Sequence, residues 1–290
     1  MGVGEFRIMA FSPLAYIINK IFLGGGVMKG KILFMTFVLI GMFVVIGARQ
    51  VPGAAIELRV ANYQPPLHKS NEMLTNWANL VEKETGGKVK FTLYPGATLA
   101  KPKDHYDACV KGITDIVHAF AGYTPGRMQL SEVVTLPGLG MKTAEHGARV
   151  SWELYEKFPE IRAEYKDTHL LWICPSIPRQ FHGMKPIRRV EDIKGLKVRA
   201  PGFEAEIWKV LGAVPVDIPG PDVYLAMQRG TIDGSSHPWE AAISYRWYEV
   251  AKYHTIMHLN LAGLFIVAMN LDTYNKLPKD VQKVIDKYSG

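Results

Sequence analysis

The sequence predicts an α/β chain folded as two lobes, each a mixed sheet flanked by helices, with a ligand cleft between them. Three observations carry this expectation. Short alternating apolar and polar stretches are separated by helical patterns from residue 56 to residue 120, which is βα winding. A second set of strand and helix patterns begins at Arg179. Pro175 with Pro178, and later Ala262-Gly263, interrupt the chain, so it crosses between the sets twice and a hinge follows.

The first strand rests on the alternation Glu57-Leu58-Arg59-Val60-Ala61-Asn62. Pro65 and Pro66 then turn the chain into a helix with Met73, Leu74, Trp77, Leu80 and Val81 on one face, and Gly86 with Gly87 stops it. Val89, Phe91 and Leu93 alternate as a second strand. Asp104 to Lys111 reads as a short helix ended by Gly112, Asp115 to Phe120 as a third strand, and Thr168 to Ile173 as a further apolar strand. The second set runs through a strand at Arg199, a helix from Phe203 to Leu211, a strand from Val214 to Ile218 and a helix from Asp222 to Arg229. A long helix from Trp239 to Tyr253 follows, with Trp247 in its packed face. The chain returns through His254 to Leu259 into a strand from Leu264 to Met269. The expected bounds are lobe I at 56–176, lobe II at 177–262, and a return to lobe I with the start of a C-terminal helical region at 263–290.

At the N-terminus, Met28-Lys29-Gly30-Lys31 precedes an apolar run from Ile32 to Gly47 and the small residues Gly53-Ala54-Ala55, the order of a signal peptide spanning 28–55. The run is shorter than the roughly 18 to 20 residues a membrane span needs. Residues 1–27 read as an extension from a mis-assigned start codon. Five Lys and Arg and one acid precede Ile56, so the whole-chain charge of +7 falls to 29 basic against 26 acidic residues, or +3. No dense basic run or interleaved aromatic patch suggests nucleic acid, and none is expected as a partner. Cys109 and Cys174, the only cysteines, are expected to pack in apolar surroundings. The chain has no G-x-S-x-G elbow, H-E-x-x-H pair or phosphate-binding glycine loop, so no enzyme class is indicated.

Arg199, in Gly195-Leu196-Lys197-Val198-Arg199-Ala200-Pro201, and Arg179, at the end of another strand-like segment, are the leading site candidates. A guanidinium is a flat fork of donors that meets both oxygens of a carboxylate and stays charged at physiological pH. Its pull is about four times stronger in a cleft that sheds water than in bulk solvent. Asn62, Tyr63 and Gln64 end the first strand and face the cleft or brace the turn at Pro65. Tyr123 follows a strand end and caps a ligand with its ring or packs in its loop. His68 is expected to be a cap of the first long helix or a surface residue rather than a ligand. His237, Trp239 and Glu240 flank Pro238, with Trp239 placed to stack on a flat part of the substrate.

Those arginine segments, with Val81 to Val89, Tyr94-Pro95-Gly96, Gly112 to Asp115, Val223 to Gly234 and Leu277 to Val284, resemble the substrate-binding proteins of tripartite ATP-independent periplasmic (TRAP) transporters, the DctP-type family. The likeness spans nearly everything from Ile56 onward. It implies a two-lobed periplasmic-binding-protein fold, a small organic acid as ligand, no catalytic residues, and small DctQ-type and large DctM-type membrane subunits as partners. In that family the arginine of the GLKxR segment holds the substrate carboxylate, and Arg199 matches it; Arg179 matches a second family arginine. His237 replaces a usual asparagine, which introduces a group that can titrate near neutrality. Gly220 replaces a usual bulky aromatic, which predicts a roomier pocket. No cofactor is expected, although some relatives bind a metal ion beside the substrate, for which Gln180 and Glu240 are the lesser candidates. The resemblance also implies further C-terminal helices, so the chain reads as truncated. The expected function is a periplasmic receptor for an organic monocarboxylate; a subunit reporting to a sensor protein, and an enzyme on the same scaffold, are the alternatives.

Overall fold

The structure, a computed structural model, describes residues 54–290 except 142, 177 and 258–261. The proposed N-terminal extension and the apolar run of the signal peptide lie outside the described residues.

The first lobe begins with β1 (Ile56–Asn62), α1 (Lys69–Glu84), β2 (Val89–Tyr94), α2 (His105–Val110) and β3 (Ile116–Phe120). β1 runs parallel to both β2 and β3, with Ile56 opposite Val89 and Val60 opposite Ile116. His68 starts α1 by accepting the Ser70 amide on its ring, as the cap expected there. Gly86, at φ 63°, ends that helix in the left-handed region that glycine enters without a Cβ penalty. Leu74, Trp77 and Val81 of α1 are buried against Leu58, Val60 and Val89, which is why the apolar stripe of the helix and the alternation of the strands have the same origin.

Two elements follow that were not anticipated, α3 (Ala144–Lys157) and α4 (Pro159–Ala163). Their signals are local ones: the Thr143 hydroxyl accepts the His146 amide as an N-cap, and Pro159 opens α4 where a missing N–H costs nothing. β4 (Thr168–Pro175) closes this stretch.

The second lobe comprises β5 (Gln180–Gly183), β6 (Lys197–Arg199), α5 (Glu204–Val210), β7 (Val214–Val216), α6 (Val223–Gln228), β8 (Gly234–His237), α7 (Trp239–Ser244) and β9 (Tyr253–Thr255). β10 (Leu264–Asn270) then joins the first sheet between β3 and β4, antiparallel to both, and α8 (Leu271–Lys276) and α9 (Lys279–Lys287) follow. The sheet orders are β2-β1-β3-β10-β4 and β7-β6-β8-β5-β9. Each sheet thus has three parallel strands whose middle member comes first in sequence, and antiparallel strands on one side. Such an order makes the chain reverse its winding direction beside β1 and beside β6, and a crevice opens at the carboxyl ends of the strands there.

Each sheet is buried on two faces. The first packs Leu58, Trp77 and Ile285 on one side and Tyr106, Val117 and Leu170 on the other; the second packs Phe181, Val198 and Trp208 against one face and Met227, Ile232 and Trp247 against the other. Cys109 is buried and Cys174 half-buried, both as free thiols, and burial pushes the Cys109 thiol far up.

The sequence reading needs correction in two places here. The long helix expected from Trp239 to Tyr253 stops at Ser244: Arg246 is left-handed at φ 59°, a 3₁₀ turn covers Trp247–Glu249, and β9 begins at Tyr253. The eight-residue spacing of Trp239 and Trp247 suits a helix, but Trp247 is fully buried against the second sheet while Trp239 is exposed, so the two indoles serve different surroundings. Arg179 does not end a strand; it lies between β4 and β5, just before Gln180.

Asn270 joins three elements. Its Nδ2 donates to the carbonyls of Cys109 and Val110 at 2.8 and 3.2 Å, and its Oδ1 accepts the Thr273 amide at 2.8 Å to cap α8. Asn270→Ala removes the cap and both bonds to the end of α2, although the Cys109 carbonyl keeps the Gly112 amide at 3.0 Å, so it should cost about 2 kcal/mol. Urea titration should show a lower midpoint at an unchanged slope.

Candidate ligand-binding site

A cavity of about 420 Å³ lies where the carboxyl ends of β1 and β3 meet those of β6 and β8. Arg199, the last residue of β6, reaches it with only 1% of its surface exposed. Its Nε donates to the Ile218 carbonyl at 2.9 Å, Nη1 donates to His237 Nε2 at 3.0 Å and Nη2 donates to the Tyr123 hydroxyl at 2.9 Å. A guanidinium has five N–H donors, so one on each terminal nitrogen is left for a ligand. None of these three partners is an acid, so the positive charge is oriented without being neutralised.

The partner network fixes the state of His237. Arginine can only donate, so Nε2 of His237 is the acceptor and Nδ1–H points to Ser235 Oγ, 3.0 Å away. Burial, and then the Arg199 charge, hold this imidazole well below its ordinary pKa. His237 is therefore neutral across the physiological range, and the titration near neutrality suggested by the sequence does not occur at this residue. His182 supports it from behind, with Nε2 at 3.0 Å from the His237 carbonyl, and is itself lowered to about 4 by burial.

Arg179 also reaches the cavity and is 2% exposed, but its surroundings differ. Its Nη1 is bonded to the Glu204 carboxylate, and its guanidinium lies 5.4 Å from the centre of the Phe120 ring. Glu204 is the first residue of α5, and its other oxygen accepts the Trp208 indole N–H at 3.2 Å. The two arginines that looked equivalent in sequence thus differ: among the described residues Arg199 bonds only to neutral groups, and Arg179 is half of a buried ion pair.

The walls are aromatic. The Tyr63 and Phe120 rings meet the Tyr123 ring edge-on at centroid distances of 5.5 and 5.0 Å, and Phe265 stacks on His118 at 5.2 Å. Burial lowers His118 to about 3, and its Nδ1 lies 3.1 Å from Asn62 Oδ1, so it too is neutral. Contacts between the lobes converge here. The Tyr123 hydroxyl accepts from Arg199 and from the Gly220 amide at 2.8 Å, and the Tyr245 hydroxyl bonds to Gln64 Oε1.

Of the residues singled out in sequence, Arg179, Arg199, His237, Tyr123, Gln64, Gly220, His68 and Glu240 border the cavity. Asn62 does not. Its amide is consumed behind the wall by Ser70, Asn71 and His118, where it ties β1 to α1 and β3. Trp239 is outside as well, packed on His182 and His254 at centroid distances of 5.0 and 5.5 Å. The room expected at Gly220 is occupied by Tyr245, whose hydroxyl would lie 3.2 Å from a Cβ placed there. Tyr63, read with its neighbours as facing the cleft, borders the cavity, whereas Phe120, His118, Phe265 and Tyr245 were not read as site residues. The first three follow strand ends or alternation already recognised, whereas Tyr245 was hidden by the assumed long helix.

Of the lesser metal candidates, Glu240 borders the cavity and Gln180 does not. Gln180 Oε1 already accepts the Met257 amide at 2.6 Å, and among the described residues no group of three or more His, Cys, Asp or Glu side chains is clustered for an ion.

The sequence profile described as bacterial extracellular solute-binding protein, family 7 (DctP) matches residues 60–289. The chain belongs to this family. Among solved structures, this DctP-family chain is similar to a TRAP solute-binding protein from Rhodoferax ferrireducens in complex with copurified benzoate, at 34% identity and a TM-score of 0.77, with 81% of this chain and 75% of that one covered. It is similar also to a marine metagenome TRAP solute-binding protein specific for aromatic acid ligands, with 3-hydroxybenzoate, at 30% identity, a TM-score of 0.77 and the same coverage. A curated solute-binding protein of Albidiferax ferrireducens is 28% identical over 221 residues, which is 74% of this chain but 64% of the relative, so the chain spans just under two thirds of that protein's length. Among the described residues no helix is long and apolar enough to cross a membrane.

The buried histidines make stability depend on pH. His118 and His182 ionise near 3 and near 4 in the fold and near 6.5 in the unfolded chain. Above pH 6.5 both states are neutral and nothing changes. Below it the unfolded chain takes up protons that the fold refuses, so stability falls as pH falls, by about 1.4 kcal/mol for each at pH 5.5. Urea midpoints should drop between pH 7.5 and 5.5, and His118→Gln should lessen the slope.

Proposed function

We propose that this protein is an extracytoplasmic receptor of a TRAP-type transporter, binding a small aromatic monocarboxylate between its lobes. The carboxylate takes the two remaining N–H groups of Arg199, and the ring lies against Tyr63, Phe120 and Phe265. The observation that carries this reading is a buried guanidinium with neutral partners, facing an aromatic cavity of about 420 Å³. That volume is within the range of small-molecule sites. Two similar solved proteins, at 34% and 30% identity, hold benzoate and 3-hydroxybenzoate, in agreement with such a ligand.

Binding and closure form one equilibrium, because a ligand held from both lobes finds all its partners only when they meet. Tyr123 is the link: it stands on the first lobe and bonds Arg199 and Gly220 of the second. After export through a cleaved signal peptide, the closed receptor delivers the acid to DctQ-type and DctM-type membrane subunits in the periplasm. Turnover is not part of this reading. His237, the imidazole beside Arg199, has one ring nitrogen on that guanidinium and the other on Ser235, so neither stands free as a base.

Benzoate at 100 times its dissociation constant should stabilise the native state by about 2.7 kcal/mol, visible as a raised melting temperature. Arg199→Ala should abolish the shift; a full shift in that variant would place the carboxylate elsewhere. Tyr123→Phe loses one charge-assisted and one neutral hydrogen bond, and calorimetric titration should show benzoate affinity lowered by about tenfold or more.

A further inference from the structure

Two guanidinium groups border the same cavity, yet their chemical surroundings are opposite. Arg199 is held by a carbonyl, a neutral imidazole and a phenol. Arg179 is held by a carboxylate. Resting on the receptor reading above, we propose that Glu204 is the specificity residue of the site: by neutralising Arg179 it makes the cavity accept one negative charge and reject two.

The pair is built to stay closed. Arg179 is 2% exposed and Glu204 8%, so salt screens their attraction little. Glu204 cannot swing away freely, because its second oxygen holds the indole N–H of the fully buried Trp208 and its backbone starts α5. Glu240 borders the same cavity, and its charge acts on Arg179 as well, which adds to the negative balance at that end. The cavity is therefore cationic at Arg199 and balanced at Arg179. A second ligand carboxylate near Arg179 would be stripped of water without gaining an unopposed counter-charge, a loss of the kind that makes buried unpaired ions costly. Without the Glu204 charge the situation reverses. Among the described residues the Nε of Arg179 has no hydrogen-bond partner, and Nη1 would be released, so a second fork would face the ligand.

The test is calorimetric titration of the purified protein at pH 7.5 with benzoate and with isophthalate, which has the same ring and one more carboxylate. The wild-type protein should prefer benzoate by about tenfold or more. Glu204→Gln keeps an acceptor for Trp208 but removes the charge, and should move the affinity ratio towards isophthalate by about tenfold or more. Glu204→Asp, which keeps the charge, should hold the wild-type ratio. Should Glu204→Gln fail to fold around an unpaired Arg179, the double replacement Arg179→Gln with Glu204→Gln removes both charges and should still favour benzoate. The proposal is overturned by wild-type protein that binds isophthalate as well as benzoate, by a folded Glu204→Gln variant with an unchanged ratio, or by a double variant that gains isophthalate. Binding of neither acid by the wild type would bring down the aromatic-acid reading itself, and this inference with it.

Discussion

A positive charge with almost no access to water is the constraint around which this fold is arranged. Arg199 ends a three-residue strand that lies between the other two parallel strands of the second sheet, and its side chain reaches the seam between the lobes at 1% exposure. Burying a guanidinium is unfavourable unless its donors are satisfied, and the protein satisfies three of them with groups that carry no charge. A carboxylate in place of any of the three would have stabilised the empty site and cancelled its use. The choice of neutral partners explains the state of the neighbours. His237 must remain uncharged to accept from Arg199, and the burial and nearby charge that keep it so are supplied by the same residues it serves.

The second lobe repeats the design of the first. Each sheet has a central parallel strand that comes first in the chain, so each has a crevice at its carboxyl edge, and the two edges face one another. The first lobe supplies aromatic rings and the second supplies charge. Tyr123 is where the two contributions meet, with its ring among Tyr63 and Phe120 and its hydroxyl on Arg199 and Gly220. The rings that pack against one another at the seam therefore also wall the cavity.

Much of this was legible in the sequence where periodicity and chemistry coincide. The alternation of β1 and the apolar face of α1 follow from one buried core, and Arg199 was identifiable because it ends a strand in a segment with a known counterpart in the DctP family. The short strands β5, β8 and β9 have three or four residues each, and Gly234-Ser235-Ser236 gives no β signal of its own. The break after α7 depends on Arg246 in a left-handed conformation, stabilised by its bonds to Glu249, and nothing in the residue type announces that. Glu204 was read only as part of a helix. That it turns back onto Arg179, 25 positions earlier, is a property of the packed lobe and not of any local pattern. The same holds for Asn62, whose place at a strand end suggested the cleft while its amide closes a network behind it.

The most direct test of the central claim is a crystal structure with 4-bromobenzoate, located by the anomalous signal of its bromine. The account predicts both carboxylate oxygens within hydrogen-bond distance of Arg199 Nη1 and Nη2, and the bromine among the aromatic walls. A carboxylate bound to Arg179 with Glu204 displaced, or a ligand outside the cavity between the lobes, would contradict it.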